Sequence, residues 1–323
     1  MEEKIKIHLT KDVYNILLKD CESFEFFKKD NITLNKNMFL TSLINNYYKI
    51  YQEKENHLIN IIDKEILNRD LSIKIVNKIN KFNATQNNQK FSEIISLKPT
   101  KESSATLAYI ERYLLHETSI SEYFRNMFTS YASLPQDQRE KIIFKTQYEE
   151  INNAISKKRK IIFTTKRNAS LHEADPYALV NSKEETHYYL LAKYNETCKT
   201  YRLSRIESVT TLNEQVNLNE NDIALFNKMI EYGPQFNYEN EEDTIIIKLT
   251  NRGKEMYKSY YTHRPKVDFI EGDYYYFSCS FNQISLYFRR FGKEAFVVTP
   301  KVLQMQLYKF YKNGVNHYIE NNK

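Results

Sequence analysis

The chain begins with a single amphipathic strand, and this strand constrains the fold most. Residues 4–9 read Lys-Ile-Lys-Ile-His-Leu, so polar and apolar side chains alternate with the period of a strand. Residues 10–50 instead have the apolar spacing of two helices, which Thr10 and Asn35 can cap. A strand with an apolar face cannot stay unpaired, so this one must pair with a distant segment or with a second copy.

An internal repeat indicates the partner strand. Ile95 and Leu97 match Ile5 and Ile7, and Thr100 matches Thr10. The second helices also correspond: Tyr123, Phe124, Met127, Phe128 and Tyr131, after a cap at Ser119, match Phe39, Leu40, Leu43, Ile44 and Tyr47. We therefore predict that residues near 4–9 and 94–97 form two antiparallel strands within one chain.

Two strand–helix–helix copies resemble the ribbon-helix-helix DNA-binding fold. The resemblance implies that side chains on the outer face of the ribbon read bases in the major groove. The candidates are Lys4, Lys6, His8, Ser96 and Lys98, beside Ile94. The alternative is that both copies are helical scaffolding with solvated lysines.

A second informative stretch lies in the middle of the chain. Residues 188–192 are apolar and aromatic on both faces, which predicts a buried strand. Strand alternation through residues 200–206 would place Tyr201, Leu203 and Arg205 on one side. Arg202 and Ser204 would lie on the other side. Two arginines three residues apart on a tyrosine-rich hairpin are typical of a site for a phosphate-bearing ligand.

The candidate binding residues of this region form one predicted pocket. Its arginines would bind phosphates and its tyrosines would stack on bases. The residues are Tyr177, Tyr189, Arg202 and Arg205, with Lys166 and Arg167 extending the positive surface, while Tyr188 would lie in the core. The alternative is structural, with the arginines paired to Glu207 or Glu173. The basic run at residues 157–160 is similarly open to two interpretations, a solvated helix end or a phosphate contact.

These residues resemble the WYL domain, whose signature is Trp-Tyr-Leu followed by Phe-Arg-Leu-Asp-Arg-Ile. Here the corresponding runs are Tyr188-Tyr189-Leu190 and Tyr201-Arg202-Leu203-Ser204-Arg205-Ile206, preceded by Pro176-Tyr177. Tyr188, Tyr201 and Ser204 thus replace the Trp, the Phe and the Asp of the signature. The resemblance implies a small Sm/SH3-like β-barrel of bacterial regulators, many of which act in defence systems.

The last hundred residues predict an order β-α-β-α-β-α after a spacer that ends at Gly233. This order, with Phe291-Gly292 and Pro300, resembles the extension that often follows WYL domains and implies a ferredoxin-like arrangement. Proteins with this extension commonly dimerise, and the aromatic residues Tyr274, Tyr275, Tyr276, Phe281 and Tyr287 suggest an apolar interface, so we predict a homodimer.

The predicted fold class is therefore α+β, in six parts. They are a ribbon-helix-helix-like unit (1–50), a helical connector (51–90), a second such unit (91–135), a linker helix (136–160), the WYL barrel (161–215) and the C-terminal extension (220–323).

Composition excludes several classes of function. All five glycines lie at or after Gly233, and no Walker or dinucleotide fingerprint is present. Cys21, Cys198 and Cys279 lack metal-ligand spacing and suggest a reducing cytoplasm. No apolar run reaches membrane-spanning length, and the N-terminus lacks the apolar core of a signal peptide. We expect no enzyme activity, no metal and no cofactor, whereas the net charge of +6 alone does not identify a partner.

The combination of a ribbon-helix-helix front end with a WYL domain resembles the accessory WYL proteins of type VI CRISPR systems. That resemblance implies a regulator that binds single-stranded RNA or DNA and raises the activity of an RNA-guided, RNA-targeting effector. One alternative is a ligand-responsive transcriptional regulator that reads duplex DNA with its ribbon. Another is a protein-interaction scaffold.

Overall fold

The structure is a computed structural model that describes residues 4–85, 90–116, 118–236, 238 and 244–321. It is a mixed α+β protein with several antiparallel sheets, as predicted. The chain divides into two compact units, residues 1–148 and 149–323. The start of the N-terminus and the middle of the polar spacer near residues 83–90 lie outside the described residues.

The described residues of the N-terminal unit form helices and a two-stranded ribbon. Its elements are β1 (Ile5–Leu9), α1 (Lys11–Ser23), α2 (Lys36–Ile66), α3 (Arg69–Ala84), β2 (Glu93–Leu97), α4 (Ser104–Tyr113), α5 (Ile120–Ala132), α6 (Gln136–Ile143) and the first part of α7 (Lys145–Ser156).

The predicted strand pairing within one chain is confirmed. Strands β1 and β2 pair antiparallel, with Ile5 opposite Leu97 and Ile7 opposite Ile95. Lys6 and His8 are exposed on one face while Ile7 and Leu9 are fully buried on the other. The period-two pattern therefore assigned both faces of the ribbon correctly.

The strand equivalence within the repeat needs a correction of two residues. Both strands have the same burial pattern, so Ile7 corresponds to Ile95 and Leu9 corresponds to Leu97. The sequence match had equated Ile95 with Ile5. It was wrong because it aligned Thr100 with Thr10, whereas α4 begins only at Ser104 and the second strand-to-helix loop is longer.

Side chains from the helices cover both outer edges of the ribbon. Ser121 and Arg125 of α5 donate hydrogen bonds to the backbone carbonyls of Lys6 and His8, each at 2.8 Å. On the other edge, the Asn37 amide accepts from the N–H of Lys98 at 2.7 Å and donates to its carbonyl at 3.1 Å. The helix of each copy thus satisfies the strand of the other, which keeps the two copies interlocked.

The matched apolar residues of α2 and α5 are all buried, as the repeat predicted. The equivalent rings of Tyr47 and Tyr131 pack edge to face, with centroids 5.8 Å apart. The Tyr131 hydroxyl donates to Asp20 at 3.0 Å, and the guanidinium of Arg139 donates to both carboxylate oxygens of Asp20 at 2.6 and 2.9 Å. The fully buried Asp20 carboxylate thus links α1 to α5 and α6. These partners are needed because an unpaired buried charge would be strongly destabilising.

Helix boundaries differ from the sequence prediction at two places, and one predicted cap makes no side-chain hydrogen bond. Helix α2 runs without interruption through residue 50 and ends where Leu67 adopts a left-handed conformation, with φ 55°. The helix expected over residues 139–155 is broken at Phe144 into α6 and α7. Asn35 and Ser119 cap their helices through their side chains, but Thr10 makes no side-chain cap hydrogen bond.

The C-terminal unit begins with a five-stranded antiparallel sheet and one helix. Its elements are β3 (Arg159–Thr165), β4 (Asn168–Asn181), β5 (Tyr188–Tyr194), β6 (Thr197–Arg202), a 3₁₀ turn (Leu203–Arg205), β7 (Ile206–Gln215) and α8 (Glu220–Tyr232), with strand order β6-β5-β4-β3-β7. Sequence reasoning missed α8, which occupies the predicted spacer. It begins at a capping box between Asn219 and Asp222.

A four-stranded sheet with three helices completes this unit. Its elements are β8 (Ile245–Leu249), α9 (Asn251–Ser259), β9 (Phe269–Glu271), β10 (Tyr274–Phe277), α10 (Phe281–Phe288), a 3₁₀ segment (Arg289–Glu294), β11 (Ala295–Thr299) and α11 (Lys301–Asn321), with antiparallel strand order β11-β8-β10-β9. The short strand β9 was not predicted. Tyr275 and Tyr287, expected at an exposed interface, are buried in the core instead.

A half-buried acid, Glu55, lies between α2 and α3 of the N-terminal unit. The Glu55 carboxylate accepts a hydrogen bond from Asn80 at 2.7 Å, and Asn80 also donates to the Tyr51 hydroxyl at 3.3 Å. Burial raises the pKa of Glu55 from its usual 4.5 to about 7, although the hydrogen bonds from Tyr51 and Asn80 favour the charged form.

We expect this raised pKa to make stability fall between about pH 4.5 and pH 7. The unfolded chain loses the Glu55 proton near pH 4.5, whereas the folded chain holds it until about pH 7, so ionisation favours unfolding as pH rises. The loss is at most about 3 kcal/mol, because one pKa unit corresponds to about 1.4 kcal/mol. Glu55→Gln should remove this part of the pH dependence and stabilise the protein at pH 8, as measured by urea unfolding from pH 5 to pH 8.

Glu53→Gln is the matched control, because Glu53 is exposed on the same helix. It should leave the pH profile of unfolding unchanged. A Glu55→Gln profile that is superimposable on that of the parent would contradict the burial argument.

Candidate nucleic-acid interface

The β5–β6 hairpin carries most of the predicted site. Asn195 and Glu196 form its two-residue loop with φ of 48° and 59°, and Tyr194 pairs with Thr197 beside them. Two consecutive positive φ values are typical of the type I′ turn, whose twist matches that of the strands. The central residues of β5 are buried, as the sequence predicted.

The second part of the motif is a turn, so strand alternation does not hold there. Strand β6 ends at Arg202, and residues Leu203–Arg205 form a 3₁₀ turn before β7. Leu203 and Ser204 are both fully buried although they are neighbours in sequence. The predicted two-sided arrangement of residues 201–205 is therefore wrong from Leu203 onward, because a 3₁₀ turn repeats every three residues rather than every two.

Three of the predicted cationic residues lie on two adjacent turns. The backbone N–H of Lys166 donates to the carbonyl of Arg205 at 2.9 Å, which holds the β3–β4 turn against the 3₁₀ turn. Lys166 and Arg167 are exposed and Arg205 is half-buried. We call Lys166, Arg167 and Arg205 the basic turn cluster. It places three cationic side chains on turns that a backbone hydrogen bond joins, and such an arrangement suits contact with an anion.

Arg202 is the last residue of β6, directly before the 3₁₀ turn, and has a different environment. It lies opposite Tyr189, and its Nη2 is 2.5 Å from Nε2 of the buried His187. The Tyr189 hydroxyl donates to Glu185. These four residues form the Arg202 cluster, in which the guanidinium is bound within the domain.

The assignment of the two adjacent tyrosines is reversed in the structure. Tyr189, proposed as a base-stacking platform, is only 7% exposed, whereas Tyr188, proposed for the core, is half-buried. The reason is the register of the sheet, because Tyr189 and Leu191 share the face that α8 covers. Tyr189 would have to leave this face to stack on a base.

Tyr177 lies against α8 and not with the arginines. Its ring stacks on Phe226 with centroids 4.9 Å apart, and its hydroxyl donates to Asn227 at 2.9 Å. One face of the ring is therefore occupied by packing. The predicted single pocket is thus divided into the basic turn cluster, the Arg202 cluster and a packing tyrosine.

One of the two carboxylates proposed to neutralise the arginines is bound elsewhere. Glu173 forms an ion pair with Lys160 at 2.8 Å, at the far end of β3 from the basic turn cluster. The basic run at residues 157–160 connects two elements. Helix α7 ends at Ser156, just before the run, and strand β3 begins within it at Arg159.

Sequence reasoning missed His172, whose two ring nitrogens are buried without a hydrogen-bond partner among the described residues. Its ring stacks on Phe163 with centroids 5.3 Å apart and meets Tyr194 edge-on at 4.9 Å. Only the alternation of β4 could have indicated that this histidine faces inward.

The ribbon candidates lie in the N-terminal unit. Lys4, Lys6, His8, Ser96 and Lys98 are all exposed, on the face of the β1–β2 ribbon opposite the core. Among the described residues, no group of three or more His, Cys, Asp or Glu side chains could hold a metal ion. No helix within those residues combines the length and hydropathy needed to cross a membrane.

Comparisons with known proteins agree with the signature residues. Residues 146–211 match the sequence model of the WYL domain, so the chain contains a WYL domain. A crystal structure described as that of a CRISPR Cas-related protein is similar over 100% of this chain and 96% of its own, with a TM-score of 0.64 and 20% identity. The two proteins therefore share a fold.

A second solved structure is that of proteasome accessory factor B/C (PafBC) of Arthrobacter aurescens. The match covers 66% of this chain and 35% of that protein's chain. Its TM-score is 0.25 and its identity is 13%. No curated protein matches the sequence.

The two arginines should differ in their effect on stability. Arg202→Ala removes a guanidinium bound to a buried histidine, so we expect the free energy of unfolding to fall by about 1–3 kcal/mol. Arg205→Ala removes a half-buried side chain on a turn and leaves the Lys166–Arg205 backbone hydrogen bond intact, so we expect a smaller loss than for Arg202→Ala. Urea unfolding of both variants measures this difference, and equal losses would indicate that both arginines are structural.

Proposed function

We propose that this protein is a non-enzymatic regulator that binds single-stranded RNA and accompanies a CRISPR effector. In this proposal it raises the activity of an RNA-guided, RNA-targeting effector. The WYL domain at residues 146–211 supports a regulatory role. The fold shared over the whole chain with a CRISPR Cas-related protein supports the connection to CRISPR.

The observation that carries the proposal is the basic turn cluster. Lys166, Arg167 and Arg205 lie on two turns that a backbone hydrogen bond holds together. Arginine binds two phosphate oxygens at once, and lysine adds a compact charge. Three such side chains on rigid turns can contact neighbouring phosphates of one strand, and a flexible single strand can adapt to their spacing.

A second candidate function is the reading of duplex DNA by the ribbon. The exposed face carries Lys6 and His8 opposite Ser96 and Ile94, with Lys4 and Lys98 at its end. β-ribbons of this kind enter the major groove in some regulators. The interlocked strand–helix–helix copies support a ribbon-helix-helix-like fold for residues 1–135.

We also infer the finer folds of the C-terminal unit. The pairing of β3 with both β4 and β7 supports a small barrel-like arrangement for the WYL domain. The chain order β-α-β-β-α-β of residues 245–299, with strand order β11-β8-β10-β9, supports a ferredoxin-like arrangement.

Removal of the Arg205 or Lys166 side chain should weaken RNA binding. Arg205→Ala and Lys166→Ala should each cost about 1–3 kcal/mol, the range for hydrogen bonds to charged groups. The log–log salt slope should become shallower by about 0.7 for each lost phosphate contact. Arg205→Lys should rescue binding only in part, because it keeps the charge but loses the two-point geometry. Fluorescence anisotropy with a labelled RNA at several salt concentrations measures both quantities.

Lys228→Ala is the control, because Lys228 is exposed on α8 and away from the turns. Tighter binding of duplex DNA than of single-stranded RNA at one salt concentration, abolished by Lys6→Ala, would favour the second candidate. An RNA-guided effector whose RNA cleavage is unchanged by the protein would contradict the accessory role.

The homodimer remains part of the proposal, with its interface at β11 and α11. Strand β11 is an edge of the four-stranded sheet. Beside it lies a largely apolar groove of about 730 Å³, lined by Ala295, Phe296, Val297, Met305, Leu307, Tyr308 and Tyr311, together with Gly292, Lys293, Lys301 and Gln304. An edge strand beside an apolar groove favours pairing with another chain.

Helix α11 supports a second copy as the occupant of this surface. Leu303 and Leu307 are buried, and the same stripe continues through Tyr311 to Val315 and Tyr318, which are 57% and 74% exposed. The apolar stripe is therefore buried in the first half of α11 and exposed in the second half. Groove and stripe belong to the same chain, so a two-fold axis near β11 would bury both at once.

We expect Tyr308→Asp to dissociate the dimer, because it places a charge in the apolar groove. Tyr261→Asp is the control, since Tyr261 is an exposed tyrosine outside this surface. Light scattering at micromolar concentration should give twice the chain mass for the parent and the control, but the chain mass for Tyr308→Asp. A monomeric parent would contradict the proposal.

A further inference from the structure

The four-stranded sheet of the C-terminal unit has one covered face and one open face. Ile245, Ile247 and Leu249 of β8 and Tyr275 and Phe277 of β10 are buried against the helices. Because side chains alternate along a strand, the residues between them point to the other side of the sheet. Among the described residues of this unit, no helix packs on that side.

The open face carries aromatic rings in a regular arrangement. In one row across the sheet, Phe296, Lys248 and Tyr274 lie on the adjacent strands β11, β8 and β10. In the next row Tyr276 of β10 pairs with Phe269 of β9, and these two rings stack with centroids 3.9 Å apart. Phe269 is 54% exposed, Phe296 is 56% exposed and Tyr274 is 38% exposed.

The spacing of these rings suits the bases of an extended strand. Neighbouring strands lie about 4.8 Å apart, and alternate residues along one strand lie about 7 Å apart. Rings at such distances can each take one base of a splayed-out single strand, which is how four-stranded sheets with exposed aromatics bind RNA. Each stacked base is sequence-tolerant, because every base has a flat face.

The charges on this face favour nucleic acid over a second protein surface. The Lys248 ammonium lies 5.6 Å from the centroid of the Tyr274 ring, in the middle of the aromatic row. Lysine is depleted from the cores of protein interfaces, whereas beside a stacking ring it can contact the phosphate of the stacked nucleotide. The nearby carboxylates have partners, since Asp273 is paired with Lys254 at 2.7 Å and Glu271 accepts from the Tyr276 hydroxyl at 3.2 Å.

We infer that the open face of the β8–β11 sheet binds single-stranded nucleic acid by base stacking. Tyr274, Phe296 and Phe269 are the stacking residues, and Lys248 contacts the backbone. The inference rests on the proposed function in taking RNA as the ligand, but it places a second contact surface outside the WYL domain. Such a surface adds affinity without sequence specificity, while the basic turn cluster contributes most of the salt dependence.

The first test uses the full-length protein and a labelled oligo-uridine of about 20 nucleotides, longer than the roughly 4–16 nucleotides that one OB-fold binds. Tyr274→Ala and Phe296→Ala should each weaken binding about tenfold, within the range for loss of one stacked base, with an unchanged salt slope. Tyr274→Phe should bind like the parent because it keeps the ring. Lys248→Ala should make the salt slope shallower by about 0.7. Tyr261→Ala, an exposed tyrosine off the sheet, is the control.

The second test does not depend on variants. Ultraviolet crosslinking of the parent protein to oligo-4-thiouridine, followed by mass spectrometry, should attach RNA to peptides of β10 and β11. Attachment only to peptides of the β3–β4 turn and the 3₁₀ turn would overturn the inference. Melting temperatures of the sheet variants should stay close to that of the parent, since the three rings are at least one-third exposed.

The outcomes separate this inference from the proposed WYL site. Loss of binding in Tyr274→Ala but not in Arg205→Ala would support the sheet and reject the basic turn cluster. Loss in Arg205→Ala alone would reject the sheet and keep the proposed function. No binding by the parent would reject both. Conversion of a dimer into monomers by Tyr274→Ala, whose ring does not line the β11–α11 groove, would show that the open face is a subunit interface and would overturn the inference.

Discussion

The need to satisfy backbone hydrogen bonds at strand edges organises this molecule. The β1–β2 ribbon has only two strands, so both of its strands are also edges. Asn37 covers one edge and Ser121 and Arg125 cover the other, and each belongs to the helix of the opposite copy. Strands almost ninety residues apart are therefore held together by both neighbouring helices, and the apolar residues of β1, β2, α2 and α5 can share one core.

The two proposed RNA surfaces use different physical interactions. The basic turn cluster offers charge on rigid turns, so its contribution depends on salt. The open face of the β8–β11 sheet offers rings, whose stacking depends little on salt. The guanidinium of the Arg202 cluster is already bound to His187, so we assign it to neither surface. Under the proposed function, a protein with both surfaces can hold a strand tightly and still accept many sequences.

The edge strand β11 differs in its neighbours from the edges of the ribbon. Gln304 of α11 donates to the Val297 carbonyl at 3.1 Å, but β11 also borders a largely apolar groove, and the stripe of α11 continues into solvent. Such a surface is costly in an isolated chain and becomes favourable when a second copy covers it. Of the aromatic residues expected at an apolar interface, Tyr275 and Tyr287 face the helices and are buried, whereas Tyr274 is 38% exposed.

The sequence by itself determined the features that depend on local periodicity. It gave the faces of β1 and β2, the buried stripes of α2 and α5 and the signature of the WYL domain, because side-chain direction follows the period of each element. Only the tertiary structure decided which side chains of the WYL signature are buried and where its second strand ends. It showed that Tyr189 rather than Tyr188 is buried, and that Leu203–Arg205 is a turn. It also explains Gly253 in α9, where a Cβ would lie 2.2 Å from the carbonyl of Glu294. These outcomes depend on packing between segments far apart in sequence, which local patterns do not encode.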